Sequence, residues 1–124
     1  MPYTGIVLIS HSPKVVEGVR EIIRQVITEV PIEIAGGTED DAIGTNVEKI
    51  QLAIERADQG QGVLLLYDIG SAKMNAELAV EMDDTTHAKI LEAPLVEGAY
   101  LAAVESGMGR SFQEVIAAVT KEFG

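Results

Sequence analysis

His11 closes an apolar run, Gly5-Ile6-Val7-Leu8-Ile9, within the segment Ile9-Ser10-His11-Ser12-Pro13. An imidazole can serve as a nucleophile, a proton carrier or a metal ligand. Asp68 follows a second run, Val63-Leu64-Leu65-Leu66-Tyr67, and opens Asp68-Ile69-Gly70-Ser71. A carboxylate beside an imidazole holds one ring N–H, which fixes the tautomer and frees the other nitrogen. Gly70-Ser71 at a helix start offers unpaired backbone N–H groups and the positive end of a dipole, an anion site of phosphate size. Gly36-Gly37-Thr38 follows a third apolar stretch, and its glycines let backbone come close to a ligand. Together these residues suggest phosphoryl chemistry on the imidazole. Each piece also has a plainer reading. His11 suits a turn, Asp68 and Ser71 suit helix caps, and Gly36-Gly37 suits a tight loop.

The elements that must position these residues alternate along the chain. The run before His11 reads as a buried first strand. Val15, Val16, Val19, Ile22, Ile23, Val26 and Ile27 then recur at helical spacing, until Glu29-Val30-Pro31. Ile32 to Ala35 is a short second strand. Thr45 is an expected N-cap, with Glu48 three residues on completing a capping box. Val47, Ile50, Ala53, Ile54 and Ala57 give the second helix its stripe. Val63 to Tyr67 is the clearest buried strand, and a third helix carries Ala72, Ala76, Leu78, Ala79 and Met82. Lys89-Ile90-Leu91 is a weaker fourth strand. Helices from about 96 to 106 and from 112 to 123 complete the pattern. Strand–helix alternation implies a doubly wound, mainly parallel sheet with right-handed crossovers. The fold expected is α/β and flavodoxin-like, four strands in the order 2-1-3-4 flanked by helices. In that order the turns after the first three strands converge at the switch point of the sheet, and His11 faces Asp68.

The chain has 124 residues, 47% hydrophobic, with no cysteine. That length suits one compact domain with one core, spanning 1–124. Without cysteine there is no disulfide, thiolate nucleophile or Cys-type metal site, which fits a cytoplasmic setting. Met1-Pro2-Tyr3-Thr4 lacks the features of a signal peptide, and no apolar stretch nears the ~20 residues that span a bilayer. Twenty acidic residues against nine basic ones give a net charge of −11. Such a surface repels phosphate backbones, so nucleic acid is not an expected partner, and without a spanning stretch neither is a membrane. The acidic run Glu39-Asp40-Asp41 reads as a solvated loop rather than a metal site, Lys73 as a solvated helix residue, Tyr67 as a packing residue, and His87 in Asp83-Asp84-Thr85-Thr86-His87 as surface.

Competing readings lack parts. A receiver domain needs acidic residues after its first strand, where this chain has Ser10-His11-Ser12. A flavodoxin needs a Ser/Thr- and Gly-rich phosphate loop there. A low-molecular-weight phosphatase needs cysteine, a histidine phosphatase needs an arginine beside its histidine, and a Walker loop is absent. A phosphohistidine carrier survives.

Three segments carry a family resemblance: Gly5 to Ser12, Ala35 to Asp40 with Ile43-Gly44-Thr45, and Asp68 to Glu77. The chain resembles the phosphotransferase subunits of phosphoenolpyruvate-dependent dihydroxyacetone kinases, relatives of the mannose-type enzyme IIA domains of the sugar phosphotransferase system. The resemblance implies a homodimer whose His11 takes phosphate from the carrier protein HPr on Nε2. The phosphate then passes to ADP, held with magnesium on the nucleotide-binding subunit of the kinase. No cofactor or metal is expected on this chain itself. The resemblance makes Asp68 the residue that orients His11. It places Gly36, Gly37, Thr38, Gly70 and Ser71 in loops lining the phosphate. Some relatives carry fused HPr-like and enzyme I-like domains; this sequence ends at Gly124, so dependence on free HPr is expected. A mannose-type sugar-transport component and a phosphorylation-dependent regulatory module are the alternatives.

Overall fold

The computed structural model describes residues 2–84 and 86–124; Met1 of the N-terminal segment and Thr85 of the polar stretch before His87 lie outside the described residues. Strand β1 (Gly5–Ser10) leads into helix α1 (Pro13–Arg24), β2 (Ile32–Gly36), α2 (Val47–Ala57), β3 (Val63–Tyr67), α3 (Ser71–Met82), β4 (Ala88–Ile90), α4 (Leu95–Gly107) and α5 (Phe112–Phe123). The sheet has four strands in the order β2-β1-β3-β4, all paired in parallel. This is the expected fold and strand order.

The apolar runs of β1 and β3 are buried on both faces, as a parallel sheet between helices requires. Side chains along a strand alternate between faces. Ile6, Leu8, Leu64 and Leu66 therefore pack on one side with α1, α4 and α5, through Val16, Ile23, Ala99, Ala103, Val115 and Val119. Val7, Ile9, Val63 and Leu65 pack on the other side with α2 and α3, through Ile50, Ile54, Ala72, Ala76 and Ala79. The alanine stripe of α3 lets that helix lie close to the sheet. Its longer apolar residues, Leu78 and Met82, are instead exposed.

Two local expectations change. Helix α1 stops at Arg24, short of the Glu29-Val30-Pro31 boundary. The Arg24 guanidinium donates to the carbonyls of Ile27 (3.2 Å) and Val30 (2.7 Å), holding an irregular turn where the apolar spacing continues. The cap of α2 is Asn46 rather than Thr45: its side-chain oxygen accepts from the Lys49 N–H at 2.8 Å. Thr45 is drawn away by α3, where the Asn75 amide donates to its hydroxyl at 2.6 Å. The final helix has a full capping box, Ser111 with Glu114.

Candidate functional site

Strand register sets the site. Ile9 pairs with Tyr67 across β1 and β3, so the residues that follow each strand, His11 and Asp68, emerge together at the carboxyl edge. His11 Nδ1 lies 3.0 Å from Asp68 Oδ1, and its Nε2 lies 2.7 Å from the Ser71 hydroxyl. The carboxylate also accepts from the His11 backbone N–H at 3.0 Å and from Ile69 N–H at 2.7 Å. Its remaining contact is the buried Ser10 hydroxyl, 2.8 Å from Oδ2. Partial burial pushes the Asp68 carboxyl up, but the hydrogen bonds from His11, Ser10 and Ile69 outweigh this and hold it below its usual 3.8.

Asp68 is thus an anion at neutral pH and can only accept. In the neutral imidazole, Nδ1 must carry the hydrogen. Nε2 then presents its lone pair and accepts from the Ser71 O–H. The nitrogen that carries the lone pair is the one toward Ser71, and the side chains of His11 and Asp68 remain about one-fifth exposed, at 20% and 22%. Ser71 is the first residue of α3. Among the described residues, the N–H groups of Gly70 and Ser71 donate to no protein acceptor. Asp68 accepts from Ile69 N–H while it holds the imidazole, but it does not cap α3, whose N-cap is Gly70 with no side-chain cap bond.

The loop after β2 also reaches His11, but through its backbone. Gly37 N–H donates to Ser10 O at 3.1 Å and Gly44 N–H to His11 O at 2.9 Å. Thr38 turns inward on its own loop: its hydroxyl accepts from Ala42 N–H at 3.1 Å and its N–H donates to Ala42 O at 2.9 Å. A Cβ at Gly36 would stand 2.6 Å from Val16 Cγ2 and 2.7 Å from Pro13 Cα. Gly37 has φ +79° and presses on the Pro13 ring. Both glycines are thereby explained by the approach of α1. A Cβ at Gly70, in contrast, would meet nothing within 4 Å.

The remaining candidates fall where their plainer readings placed them, with one addition. Glu39, Asp40 and Asp41 are exposed, and Asp41 pairs with Lys49 at 2.5 Å. Among the described residues no group of three potential metal ligands gathers. His87 is exposed at the opposite edge, its ring edge-on to Phe112. Tyr67 and Lys73 are joined through Glu92, which the sequence did not single out: the Tyr67 hydroxyl donates at 2.6 Å and the Lys73 ammonium pairs at 2.6 Å. The hydrogen bond to Glu92 raises the Tyr67 pKa, and the same carboxylate raises that of Lys73. Glu92 is itself lowered, first by Lys73 and then by Tyr67. Ser10 is the other residue that sequence reasoning missed. Its signal was a hydroxyl at the last position of a strand otherwise wholly apolar.

The family model described as the fructose IIA component of the phosphotransferase system, mannose-type, matches residues 5–116. The chain belongs to the mannose-type enzyme IIA family, on its DhaM branch. It is 43% identical to the DhaM phosphoryl donor subunit of a phosphoenolpyruvate-dependent dihydroxyacetone kinase from Listeria innocua, over 97% of this chain and 94% of that one. It is 37% identical to the DhaM phosphotransferase subunit from Lactococcus lactis, over 90% and 89%. In the Escherichia coli DhaM it matches only 25% of the longer chain, at 36% identity. Among solved structures, a protein of unknown function superposes with a TM-score of 0.85 at 32% identity, covering 98% of this chain and 95% of that one. An enzyme IIA component from Streptococcus agalactiae shares the fold, with a TM-score of 0.70 at 12% identity and coverage of 95% and 90%. No helix among the described residues is long and apolar enough to cross a membrane.

Proposed function

We propose that this DhaM-branch chain is a phosphohistidine carrier of a dihydroxyacetone kinase system. Phospho-HPr donates to His11 Nε2, and His11 donates to ADP held on the nucleotide-binding subunit of the kinase. The observation that carries this reading is the split imidazole: Asp68 holds Nδ1 at 3.0 Å, leaving the Nε2 lone pair toward Ser71. In the first transfer, the bond from phosphorus to the donor's ring nitrogen breaks as the bond to Nε2 forms. Positive charge then develops on the His11 ring, and the Asp68 anion stabilises it. In the second transfer, the P–Nε2 bond breaks and a terminal phosphate oxygen of ADP takes the phosphoryl group. Such transfers depend on positioning and charge neutralisation.

Ser71 changes role between these states. Its hydroxyl serves Nε2 in the free protein and turns to a phosphoryl oxygen in the phosphoprotein, alongside the N–H groups of Gly70 and Ser71 at the positive end of α3. Gly36, Gly37 and Thr38 form the facing wall, shaping the site by packing because the Gly37 N–H is engaged by Ser10 O of β1 and the Thr38 N–H by Ala42 O of its own loop. The chain supplies no cofactor; ADP and magnesium belong to the partner. A homodimeric, cytoplasmic carrier completes the reading, with sedimentation at twice the chain mass as the check on assembly.

The deciding test is reconstitution with phosphoenolpyruvate, enzyme I, HPr and the kinase subunits. One acid-labile, base-stable phosphate should form on His11 and pass through ATP to dihydroxyacetone phosphate. Retention of the label in the presence of the ADP-loaded subunit, with release to a sugar-transport subunit, would instead assign the chain to transport.

A further inference from the structure

Ser10 is fully buried, at 0% exposure, one of few buried polar side chains beside the apolar core. A buried hydroxyl is destabilising unless it is hydrogen-bonded, and this one has two partners. The Ser12 N–H donates to its oxygen at 3.0 Å, and its oxygen lies 2.8 Å from Asp68 Oδ2. The direction of the second bond follows from the first partner and from the chemistry of the acceptor. A carboxylate has no hydrogen to give, so the hydroxyl hydrogen must point at Asp68. The backbone of Ser12, at the N-cap of α1, occupies a lone pair behind it.

The two oxygens of Asp68 are thereby divided. Oδ2 accepts from Ser10 O–H and His11 N–H, while Oδ1 accepts from the His11 ring and Ile69 N–H. Of these four donors, two are backbone groups and one is the imidazole itself. Ser10 is the only other side chain, and it is the last residue of β1, the strand that lies between β2 and β3. We propose that Ser10 is a positioning residue: by clamping Asp68 Oδ2 it fixes the carboxylate plane, which keeps the hydrogen of His11 on Nδ1 and the lone pair on Nε2. This rests on the reading of His11 as the phosphoryl carrier. It goes beyond it in placing the origin of that reactivity one residue upstream, inside the core.

A carboxylate without this clamp can turn about its Cβ–Cγ bond. Oδ1 then leaves the imidazole plane, and the tautomer with hydrogen on Nε2 gains population. That tautomer has no lone pair at the nitrogen facing the donor and cannot accept phosphate. The effect is on the reacting fraction and on charge stabilisation in transfer, not on docking. The rate of phosphorylation should fall while the apparent KM for phospho-HPr stays the same.

The test compares Ser10→Ala with Ser10→Thr, using two readouts. The first needs no partner: nitrogen NMR of ring-labelled His11 at a pH where the imidazole is neutral. The native protein and Ser10→Thr should show the Nδ1–H tautomer, and Ser10→Ala a clear admixture of Nε2–H. The second is the initial rate of phosphorylation by phospho-HPr. It should drop roughly tenfold in Ser10→Ala, in the range for loss of an orienting outer group, with recovery in Ser10→Thr. If Ser10→Ala fails to fold, Ser10→Cys, similar in volume and a poor donor, is measured in its place. A variant lacking the hydroxyl that is less stable yet keeps the native tautomer and rate would overturn the proposal and leave Ser10 a purely structural residue. If wild-type protein takes no phosphate on His11, the carrier reading falls instead, and the tautomer measurement distinguishes the two failures.

Discussion

The chain has two histidines, and they sit at opposite ends of the same sheet. His11 follows β1 at the carboxyl edge; His87 precedes β4 at the amino edge, where its carbonyl accepts from Val63 N–H at 2.8 Å. His11 has both ring nitrogens engaged by polar side chains. His87 is exposed, with its ring 6.4 Å from that of Phe112 at 88°. His87 also lines a concavity with residues including Asp58, Gly62, Thr86 and Phe112. A concavity alone does not make a site; convergence of polar groups does. At the carboxyl edge three parallel strands deliver their following turns to one point, and a helix begins there with free donors. At the amino edge a ring rests on another ring.

The largest effect that could break this contrast is at His11. His11→Ala should abolish phosphate incorporation from phospho-HPr, read as loss of acid-labile label. Full labelling of that variant would remove the distinction between the two edges.

Asp68 comes next. Asp68→Asn should slow phosphorylation by roughly 10–100-fold, as loss of an orienting outer group commonly does, with the fold retained by circular dichroism. The same variant tests the electrostatics. Because the folded carboxyl titrates below 3.8, its ionisation stabilises the native state above the unfolded pKa. That contribution is lost as pH falls through the folded value. Urea unfolding should show the stability gap between wild type and Asp68→Asn closing on acidification below about pH 4. A gap constant from pH 7 to pH 2 would mean that the hydrogen bonds at Asp68 do not favour its charged form.

The elements of this sheet were legible because their apolar runs and helical spacings are local signals. Strand order followed from parallel alternation and crossover handedness. His11 and Asp68 were legible because each directly follows a buried strand. Ser10 was not, because its partner lies 58 positions away and a serine ending a strand also reads as the start of a turn. Glu92 was hidden for the same reason: only tertiary structure brings it to Tyr67 and Lys73. Thr45 and Asn46 are adjacent cap-competent residues, and only the pull of Asn75 on Thr45 separates them. The glycines were the deepest ambiguity, since one residue type serves both close packing and ligand approach.

That ambiguity can be separated by a pair of alanine substitutions. Gly36→Ala places a methyl against Val16 and the Pro13 backbone, and overpacking of this kind destabilises by about 1–3 kcal/mol. Gly70→Ala enters open space in a helical conformation, so its stability should stay within about 0.5 kcal/mol of wild type. If Gly70 faces the phosphate, phosphorylation should slow in that variant all the same. Equal melting temperatures and equal rates would take Gly70 out of the phosphate site and leave Ser71 as its only contact on α3.

The smallest effect is expected at His87, and it closes the comparison. Phe112 lies over Gly62, where an added Cβ would stand 2.4 Å from its ring, so the ring is held by the β3 entry whether or not a histidine leans on it. An edge-to-face aromatic pair contributes about 0.5–1.5 kcal/mol beyond area burial, and the His87 ring is exposed. His87→Ala should therefore lower stability by less than about 1 kcal/mol, read by chemical unfolding, with no change in the rate or extent of phosphorylation. The double variant with Phe112→Leu should show a loss smaller than the sum of the single losses, because each single substitution already removes the ring pair. A slowed phosphorylation in His87→Ala would link the two edges through the sheet and end the division of labour between them.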